Sequence, residues 1–426
     1  MDVFVHQDIP HDKGKSALTS IWQSVRTGCW VTADRIRAYS VILISLVTIF
    51  VGIGFTRLDS WVDDSGKPIG TDFTNTYAAG ILAQEGLAAS AYDPVVHHAV
   101  EKAMFDRSDI PLFTWNYPPF FFAIAALVAF LPYGWALMAW VAASLLTYLL
   151  TMRAILPRPE TLLLALAFPA SFVNIGHGQN GFLTAALIGG ALHLLPRRPW
   201  LAGVLIGLLV YKPHFGLMIP LCLMADRRWI TFISAGCCVI VLSALSVAVM
   251  GVDIWKAFLQ STDVTQKLVF ESGATGWEKF QSIFSAIRAW HGSLLLAYSA
   301  QAILTLTLAI SLSWLWTRNV AYELKASALA TASLLATPYA LDYDMVLLAV
   351  SIAFFVRHGL AHGFREYEIT VLAATWIVPL IARTAGGVTL MPLGLIVMLM
   401  LFAITMRRAL YDTGTAPIWR RVIAQA

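Results

Sequence analysis

Charged residues are scarce in this 426-residue chain, where Asp, Glu, Lys and Arg make up only 13% of the sequence and hydrophobic residues make up 58%. Together with a mean hydropathy of +0.70, this composition excludes a soluble globular domain. Apolar runs recur along the chain, and each can cross a hydrocarbon core of roughly 30 Å as a helix. We therefore predict an all-α polytopic membrane protein with roughly 10 to 13 transmembrane helices, counting shorter runs. The clearest runs are residues 39–55, 117–131, 230–250, 293–316, 368–381 and 392–405.

Cysteine is also scarce, with four residues in the whole chain. Cys222, Cys237 and Cys238 lie inside apolar runs, so the sequence offers no disulfide framework and we interpret all four as packing residues. The first 38 residues are polar and lack a small-residue cleavage site before the first apolar run. We therefore predict that residues 1–38 form a cytoplasmic segment leading into an uncleaved anchor.

The distribution of charge predicts the topology. Arginine pairs end several loops and mark them as cytoplasmic, which also argues against nucleic-acid binding. Residues 39–406 would then form the transmembrane domain and residues 407–426 a cytoplasmic tail. Two polar insertions, at about 57–116 and 251–290, should lie on the opposite, extracytoplasmic side. The pairs are Arg197-Arg198, Arg227-Arg228, Arg407-Arg408 and Arg420-Arg421.

One region does not fit this topology. If residues 117–131 and 137–151 are both spans, Arg153 and Arg158 fall on the outer side, against the positive-inside trend. The disagreement disappears if one of the two runs is re-entrant or lies in the membrane interface.

Polar residues interrupt three apolar runs: "NIGHGQNG" at 174–181, "YKPHFG" at 211–216 and "TPYALDYD" at 337–344. Lys212 precedes a proline, which breaks a helix, and a lysine at membrane depth usually faces a cavity or a partner. The alternative is a lysine that snorkels or pairs with a neighbouring acid. His177 or Gln179 alone could be a helix cap, but the three breaks together predict a polar site walled by spans.

A fourth polar stretch is "TDFTNTYAAG" at 71–80, in the first outer insertion. Tyr77, Ile81 and Leu82 follow Phe73 at roughly helical spacing, which predicts a helix beginning near Asp72. Asp72 could therefore be an N-cap residue, or it could be a reactive carboxylate.

These stretches resemble glycosyltransferase family 87 of the GT-C superfamily. The similarity includes an Asp-Phe pair followed by an Ala-rich helix and Tyr-Asp-Pro in "TDFTNTYAAGILAQEGLAASAYDP", and it continues in "NYPPFFFAIAALVAFLPY". It extends through "GQNGFLTAAL", "RPWLAGVLIGLLVYKPHFGLMIP" and "ATPYALDYDMVLL", in the order found in the family. The resemblance covers roughly Asp72 to Leu348.

The resemblance implies a GT-C-type bundle with two larger extracytoplasmic loops, in the plasma (inner) membrane. It implies inverting transfer of a sugar, mannose in the best-known members, from a polyprenyl-phosphate donor. The acceptor would be a hydroxyl of a glycolipid, glycan or protein at the outer face. The family's catalytic base corresponds to Asp72. Some members use a His in the late Pro-Tyr block, where this chain has Asp342 and Asp344 instead.

Inverting transfer needs a carboxylate to take the acceptor proton and positive charge or hydrogen-bond donors for the departing phosphate. Asp72 and Lys212 supply one of each. For the donor phosphate we predict Lys212, His214, His177 and Gln179. For the sugar or the acceptor we predict Tyr77, Asn180, Tyr339, Asp342, Tyr343 and Asp344.

The sequence indicates no cofactor and no metal site, because the histidines lack ligand spacing. A divalent cation on "DYD" at 342–344 remains possible. Trp277, Glu278 and Lys279 could cover the acceptor or form a solvated surface patch. A polytopic transporter of a lipid-linked or small polar substrate is the alternative function, although the chain lacks an evident repeat of two similar halves.

Overall fold

The computed structural model describes residues 17–55, 61–63, 65–273 and 275–414, and most of them are helical. The predicted N-terminal segment, the two outer insertions and the C-terminal tail are only partly described, because positions 1–16, 56–60, 64, 274 and 415–426 lie outside the described residues. No strand forms among the described residues, which contain only the isolated bridges Val62 to Pro68 and Phe280 to Leu341. The predicted all-α fold is confirmed.

The α-helices are numbered in chain order. They are Ala17–Thr27 (α1), Ala33–Phe55 (α2), Thr71–Gln84 (α3), Pro94–Phe105 (α4), Phe122–Val128 (α5), Tyr133–Ile155 (α6), Pro159–Leu166 (α7), Pro169–His177 (α8), Gly181–Leu194 (α9), Pro199–Leu208 (α10), Ile219–Ala225 (α11), Trp229–Met250 (α12), Asp253–Thr265 (α13), Ile283–Ala289 (α14), Leu294–Thr317 (α15), Tyr322–Leu335 (α16), Leu347–His362 (α17), Glu368–Ile377 (α18), Ala382–Thr389 (α19) and Leu393–Asp412 (α20). Short 3₁₀ segments and one π segment join them, often where a proline removes a backbone donor. The 3₁₀ segments are Ala88–Tyr92, Pro119–Phe121, Leu209–Tyr211, Pro213–Gly216, Trp277–Lys279, Asp342–Val346 and Val378–Leu380, and the π segment is Gln266–Glu271.

Six helices within the described residues are long and apolar enough to cross a membrane, and there are eight spans if each of two bent helix pairs is one span. The bent pairs turn by 51° between α7 and α8 and by 72° at the start of α19. There are also four shorter apolar helices. The predicted number of 10 to 13 crossings is larger because it included shorter apolar runs of this kind. The protein is thus a multi-pass membrane protein. The six are Ala33–Ile53, Tyr133–Ile155, Trp229–Met250, Leu294–Thr317, Asp342–His362 and Leu393–Asp412.

The structure removes the conflict around residues 117–158. The apolar helix there is only Pro119–Val128, which at about 1.5 Å per residue is too short to cross a membrane alone. Only α6 is a full span in this region, so Arg153 lies at its far end. Arg37, at the start of α2, forms an ion pair with Glu160 at 2.9 Å. The basic ends of α2 and α6 therefore lie on the same side, as the positive-inside trend requires.

Other basic loop ends collect at this same end of the bundle. Arg408 in α20 pairs with the buried Glu368 at the start of α18, at 3.1 Å. Arg357 in α17 pairs with Glu323 at 3.5 Å and also donates to the carbonyl of Ile155. We refer to this end of the bundle as the basic end.

The largest core cluster surrounds α16 and α17, which pack along each other. Every residue of α16 from Leu324 to Leu335 is buried, and the helix is rich in Ala and Ser. Such small side chains let helix backbones approach closely in membranes. Ser351 of α17 also donates to the carbonyl of Ser327 at 2.7 Å. The polar block between these helices is consequently held by rigid elements.

Gly178 packs the end of α8 against α3 and α6. Its backbone is left-handed (φ +60°), which is the usual conformation of a glycine after a helix. A Cβ there would lie 2.7 Å from a methyl of Leu137 and 2.8 Å from the Cβ of Phe73. Its carbonyl accepts a hydrogen bond from the Trp140 indole at 3.0 Å. This close contact sets the position of the neighbouring His177 relative to α3.

We predict that Gly178→Ala destabilises the protein and displaces His177 from α3. Left-handed backbone costs a non-glycine residue about 1–2 kcal/mol, and overpacking adds about 1–3 kcal/mol. Thermal unfolding of the purified protein in detergent measures the loss.

Gly176→Ala is the matched control, because a Cβ at this position in α8 meets no atom within 4 Å. Alanine is the better helix former, so this variant should be as stable as the wild type or slightly more so. Equal melting temperatures for both variants would contradict the packing role of Gly178.

Candidate active site

The polar stretches predicted from the sequence meet at the end of the bundle opposite the basic end. Asp72 lies in the first turn of α3, and His177 is the last residue of α8. The Nδ1 of His177 lies 3.7 Å from a carboxylate oxygen of Asp72 and 2.8 Å from the hydroxyl of Thr71. The His177 ring also lies 5.8 Å from the ring of Tyr343. Stretches 71–80, 174–181 and 337–344 thus form one site.

Asp72 does not cap its helix. The N-cap of α3 is Gly70, and no side chain makes a capping hydrogen bond there. The Asp72 carboxylate instead accepts a long hydrogen bond from the Gln179 side-chain amide, at 3.5 Å. About 23% of its side chain remains exposed, so a small reactant can reach it. Asp93, in contrast, caps α4, where its side chain accepts from the backbone N–H of Val95.

The surroundings of Asp72 change its acidity. Burial raises the pKa of Asp72 from 3.8 to about 6, because desolvation disfavours the charged form. The positive charge of Lys279, the hydrogen bond from Gln179 and the charge of Lys212 oppose this increase. The carboxylate is mostly ionised at neutral pH, yet it is more basic than an ordinary aspartate.

An amide network holds Gln179 in place. Its carbonyl oxygen accepts from the hydroxyl of Tyr117 at 3.1 Å and from the backbone N–H of Asn180 at 2.8 Å. The Asn180 side chain in turn donates to the Tyr117 hydroxyl at 2.7 Å. Because the side-chain oxygen of Gln179 accepts these two hydrogen bonds, its NH₂ group is the part that faces Asp72. Tyr117 was not singled out from the sequence, where it is one aromatic residue among many.

Lys212 is paired with an acid inside the bundle. The backbone breaks at this residue, between Leu209–Tyr211 and Pro213–Gly216. Its ammonium lies 2.7 Å from the carboxylate of Asp344, and the two side chains are only 7% and 1% exposed. It also lies 5.2 Å from the centre of the Tyr343 ring. The pairing interpretation of Lys212 is therefore the one that the structure supports.

The remaining predicted residues divide between the site and its surroundings. His214 lies beside Lys212, with its ring 5.7 Å from that of Tyr339. Tyr77 points away from Asp72, because its hydroxyl donates to the carbonyl of Leu131 at 2.8 Å and its ring packs on Tyr133. The structure does not bring Tyr77 together with the other site residues.

Arg383 is part of the site and was not predicted. It lies in the first turn of α19, just after the 72° bend. One guanidinium nitrogen lies 3.6 Å from the buried carboxylate of Asp342 and donates to Nε2 of His177 at 3.4 Å. Since arginine can only donate, Nε2 carries the lone pair, and the proton of neutral His177 is on Nδ1, toward Thr71 and Asp72. The sequence signal that could have identified this residue is a basic side chain just after the apolar run 368–381.

Asp342 and Asp344 contact different cations, Arg383 and Lys212. Across the described ranges, no group of three or more His, Cys, Asp or Glu side chains could hold a metal ion. The predicted lack of a metal cofactor stays a prediction.

Comparison with known proteins yields one match. The model of glycosyltransferase family 87 matches residues 114–338, slightly more than half of the chain. No curated protein and no solved structure matches the chain. The matched segment contains His177, Gln179 and Lys212, whereas Asp72 and Arg383 lie on either side of it.

The pairing of Lys212 leads to a stability prediction. Lys212→Met leaves the Asp344 carboxylate buried without its cation, which should destabilise the protein by about 3–5 kcal/mol. The double variant Lys212→Met/Asp344→Asn should recover most of this loss, because asparagine is neutral and can still accept from the N–H of Leu341. Thermal unfolding in detergent compares the variants.

Lys256→Met is the control for this prediction. Lys256 pairs with Asp253 at the same 2.7 Å distance, but both side chains are largely exposed. Removal of an exposed ion pair changes stability by less than about 1 kcal/mol. If Lys212→Met were no more harmful than this control, the buried pair would not be structural.

Proposed function

The chain belongs to glycosyltransferase family 87 and is a membrane glycosyltransferase, and we propose that it transfers a hexose with inversion from a polyprenyl-phosphate donor to an acceptor hydroxyl, with Asp72 as the general base. The observation that carries the proposal is the position of Asp72. It is a partly exposed carboxylate on a packed helix, held by a side-chain amide and lying in the field of two lysines.

The proposed reaction is a single displacement. Asp72 takes the proton of the acceptor hydroxyl while the acceptor oxygen attacks the anomeric carbon of the donor sugar. The bond between that carbon and the phosphate oxygen breaks, and its electron pair leaves with the polyprenyl phosphate. Because a phosphate is a good leaving group, no separate acid is required. Attack opposite the departing phosphate inverts the anomeric carbon.

Residues around Asp72 support this assignment. The Nδ1–H of His177 points toward Thr71 and Asp72, so it can orient the carboxylate without holding it permanently. Tyr339, Asp342 and Tyr343 lie across from Asp72 in the block between α16 and α17 and are our candidates for contacts with the sugar. Asp344 is engaged by Lys212, and Asn180 lies behind Gln179, so we assign both a positioning role. Mannose is the expected sugar by resemblance to the family.

The charge distribution supports an outer-face location for the reaction. The basic end of the bundle carries Arg37, Arg357 and Arg408, which by the positive-inside trend would be cytoplasmic. The candidate site lies at the opposite end, beside the two polar insertions. We propose that the protein resides in the plasma (inner) membrane with Asp72 facing the extracytoplasmic side. There it would meet the donor and a glycolipid, glycan or protein acceptor.

We predict that Asp72→Asn abolishes sugar transfer while leaving expression and melting temperature near those of the wild type. General bases contribute about 10²- to 10⁴-fold to rate, and asparagine preserves size but cannot accept the proton. The assay measures the transfer of labelled sugar from polyprenyl-phosphate sugar to acceptor in membranes that contain the protein.

Asp93→Asn is the matched control, because Asp93 is also an aspartate at the start of a helix but only caps it. Asparagine caps helices about as well as aspartate, so this variant should transfer normally. Full activity of Asp72→Asn would show that Asp72 is not the base.

The elevated pKa of Asp72 predicts a pH dependence. Only the ionised carboxylate can accept a proton, so the transfer rate should rise with pH through about 6. Gln179→Leu removes a hydrogen bond that favours the charged form, and the rise should move to higher pH in this variant. Values of kcat/KM between about pH 5 and 8, which report the pKa of the free enzyme, test this. A rate that is constant over this range would contradict the assignment.

A further inference from the structure

Arg383 is a cation with unfilled hydrogen-bonding capacity at the edge of the site. Its side chain is 43% exposed, and its nearest acid, Asp342, is 3.6 Å away. The contact with His177, at 3.4 Å, is near the limit for a hydrogen bond. A guanidinium has five N–H donors, and these two contacts engage only one of its nitrogens. Most of the Arg383 guanidinium can therefore bind a further anion.

The buried acid beside it explains why Arg383 stays in this position. The Asp342 side chain is nearly fully buried, and one of its oxygens accepts from the N–H of Tyr343 at 2.9 Å. The other oxygen faces Arg383 and has no hydrogen-bond partner within the described residues. A buried charge needs a compensating cation, so Asp342 holds Arg383 at the mouth of the site.

A second cation, Lys279, is brought to the same place by backbone pairing. Phe280 and Leu341 form an antiparallel bridge, and the N–H of Gln281 donates to the carbonyl of Ala340 at 2.8 Å. In an antiparallel pair the residue before Phe280 lies opposite the residue after Leu341. The bridge therefore brings the backbone of Lys279 close to that of Asp342.

The segments that carry these two cations also pack on each other. The turn Trp277–Lys279 contacts α19, and a Cβ added at Gly386 would lie 3.3 Å from the Cβ of Glu278. The Lys279 charge acts on Asp72 as well, where it is the largest effect opposing the raised pKa. Lys279 and Arg383 therefore both lie near Asp72, and Arg383 and Asp72 share the neighbour His177.

Lys212 contrasts with both residues. It is almost completely buried and its charge is matched by Asp344 at 2.7 Å. An anion that bound Lys212 would have to compete with this short contact, whereas no acid in the described part of the chain lies comparably close to Arg383 or Lys279.

We infer that Arg383 and Lys279, and not Lys212, bind the phosphate group of the prenyl-linked donor. That the phosphate belongs to a sugar donor rests on the proposed function. A sugar linked through a phosphodiester carries one negative charge, and the departing prenyl phosphate approaches two. Two cations at this position stabilise the charge that develops on the leaving oxygen as the sugar–oxygen bond breaks. Their loss should lower kcat as well as weaken donor binding.

The test measures binding of farnesyl phosphate to the purified full-length protein in nanodiscs by calorimetry, with farnesol as the uncharged comparison. Arg383→Gln and Lys279→Gln should each weaken farnesyl phosphate binding about tenfold or more, as expected for loss of a charge-assisted contact. Farnesol binding should not change. Arg383→Lys should retain part of the affinity, because it keeps the charge but not the fork of donors.

Lys256→Gln is the matched control, since this exposed lysine belongs to the second polar insertion but has its own partner, Asp253. It should bind farnesyl phosphate like the wild type. Melting temperatures check that each variant is folded. Arg383→Gln and Lys279→Gln are measured as separate single variants. If one of them does not fold, the other still tests whether these cations bind the phosphate.

Unchanged farnesyl phosphate binding in folded Arg383→Gln and Lys279→Gln would overturn the inference, even if the wild-type protein transfers sugar from a prenyl-phosphate donor. Failure of wild-type binding would also overturn it. Conversely, selective loss of farnesyl phosphate binding in both variants, in a protein that transfers no sugar, would support the anion site and reject the proposed function. The two conclusions can therefore fail independently.

Discussion

The ion pair between Lys212 and Asp344 is the contact on which the arrangement of the site depends. A charge in an apolar bundle is costly unless it meets an opposite charge. Lys212 interrupts one apolar run and Asp344 ends the polar stretch 337–344 after α16, so the 2.7 Å contact between them joins two separate breaks in the helices. Tyr343 lies between the two charges and Asp72. The pair therefore holds the buried side of the site in place. Because its two charges satisfy each other, substrate binding depends on the charges of other residues.

The two ends of the bundle use their charges differently. At the basic end, Arg408 and Glu368 are both buried and lie 3.1 Å apart, so their charges satisfy each other and tie α18 to α20. At the other end Asp72 lies 3.7 Å from His177, and Arg383 lies 3.4 Å from His177 and 3.6 Å from Asp342. Loosely paired charges in a cleft retain the capacity to bind or react, whereas closely paired charges contribute mainly to structure. The contrast locates the candidate site without reference to any family.

The sequence predicted features whose free energy depends on a residue and its immediate surroundings. Composition predicted a membrane protein, and the unfavourable free energy of a lysine at membrane depth drew attention to Lys212. Its partner Asp344 could not be chosen, because that contact joins residues 132 positions apart. Arg383 escaped prediction for the same reason, and Lys279 was considered only as a cover for the acceptor or part of a solvated patch, because the 72° bend and the Phe280–Leu341 bridge are not visible in the sequence. Tyr77 was predicted to contact the sugar or the acceptor, but position on a helix does not determine which neighbour a side chain meets, and here that neighbour is Tyr133.

The shared position of Lys279 couples donor binding to the basicity of Asp72. The charge of Lys279 is the largest influence that keeps the pKa of Asp72 from rising beyond about 6. A phosphate bound to Lys279 would neutralise much of that charge and add a negative charge nearby. Both changes raise the pKa of Asp72, and a base whose pKa approaches the working pH accepts a proton more readily in the transition state. The base would then be strongest when the donor is in place, so that deprotonation of the acceptor follows donor binding.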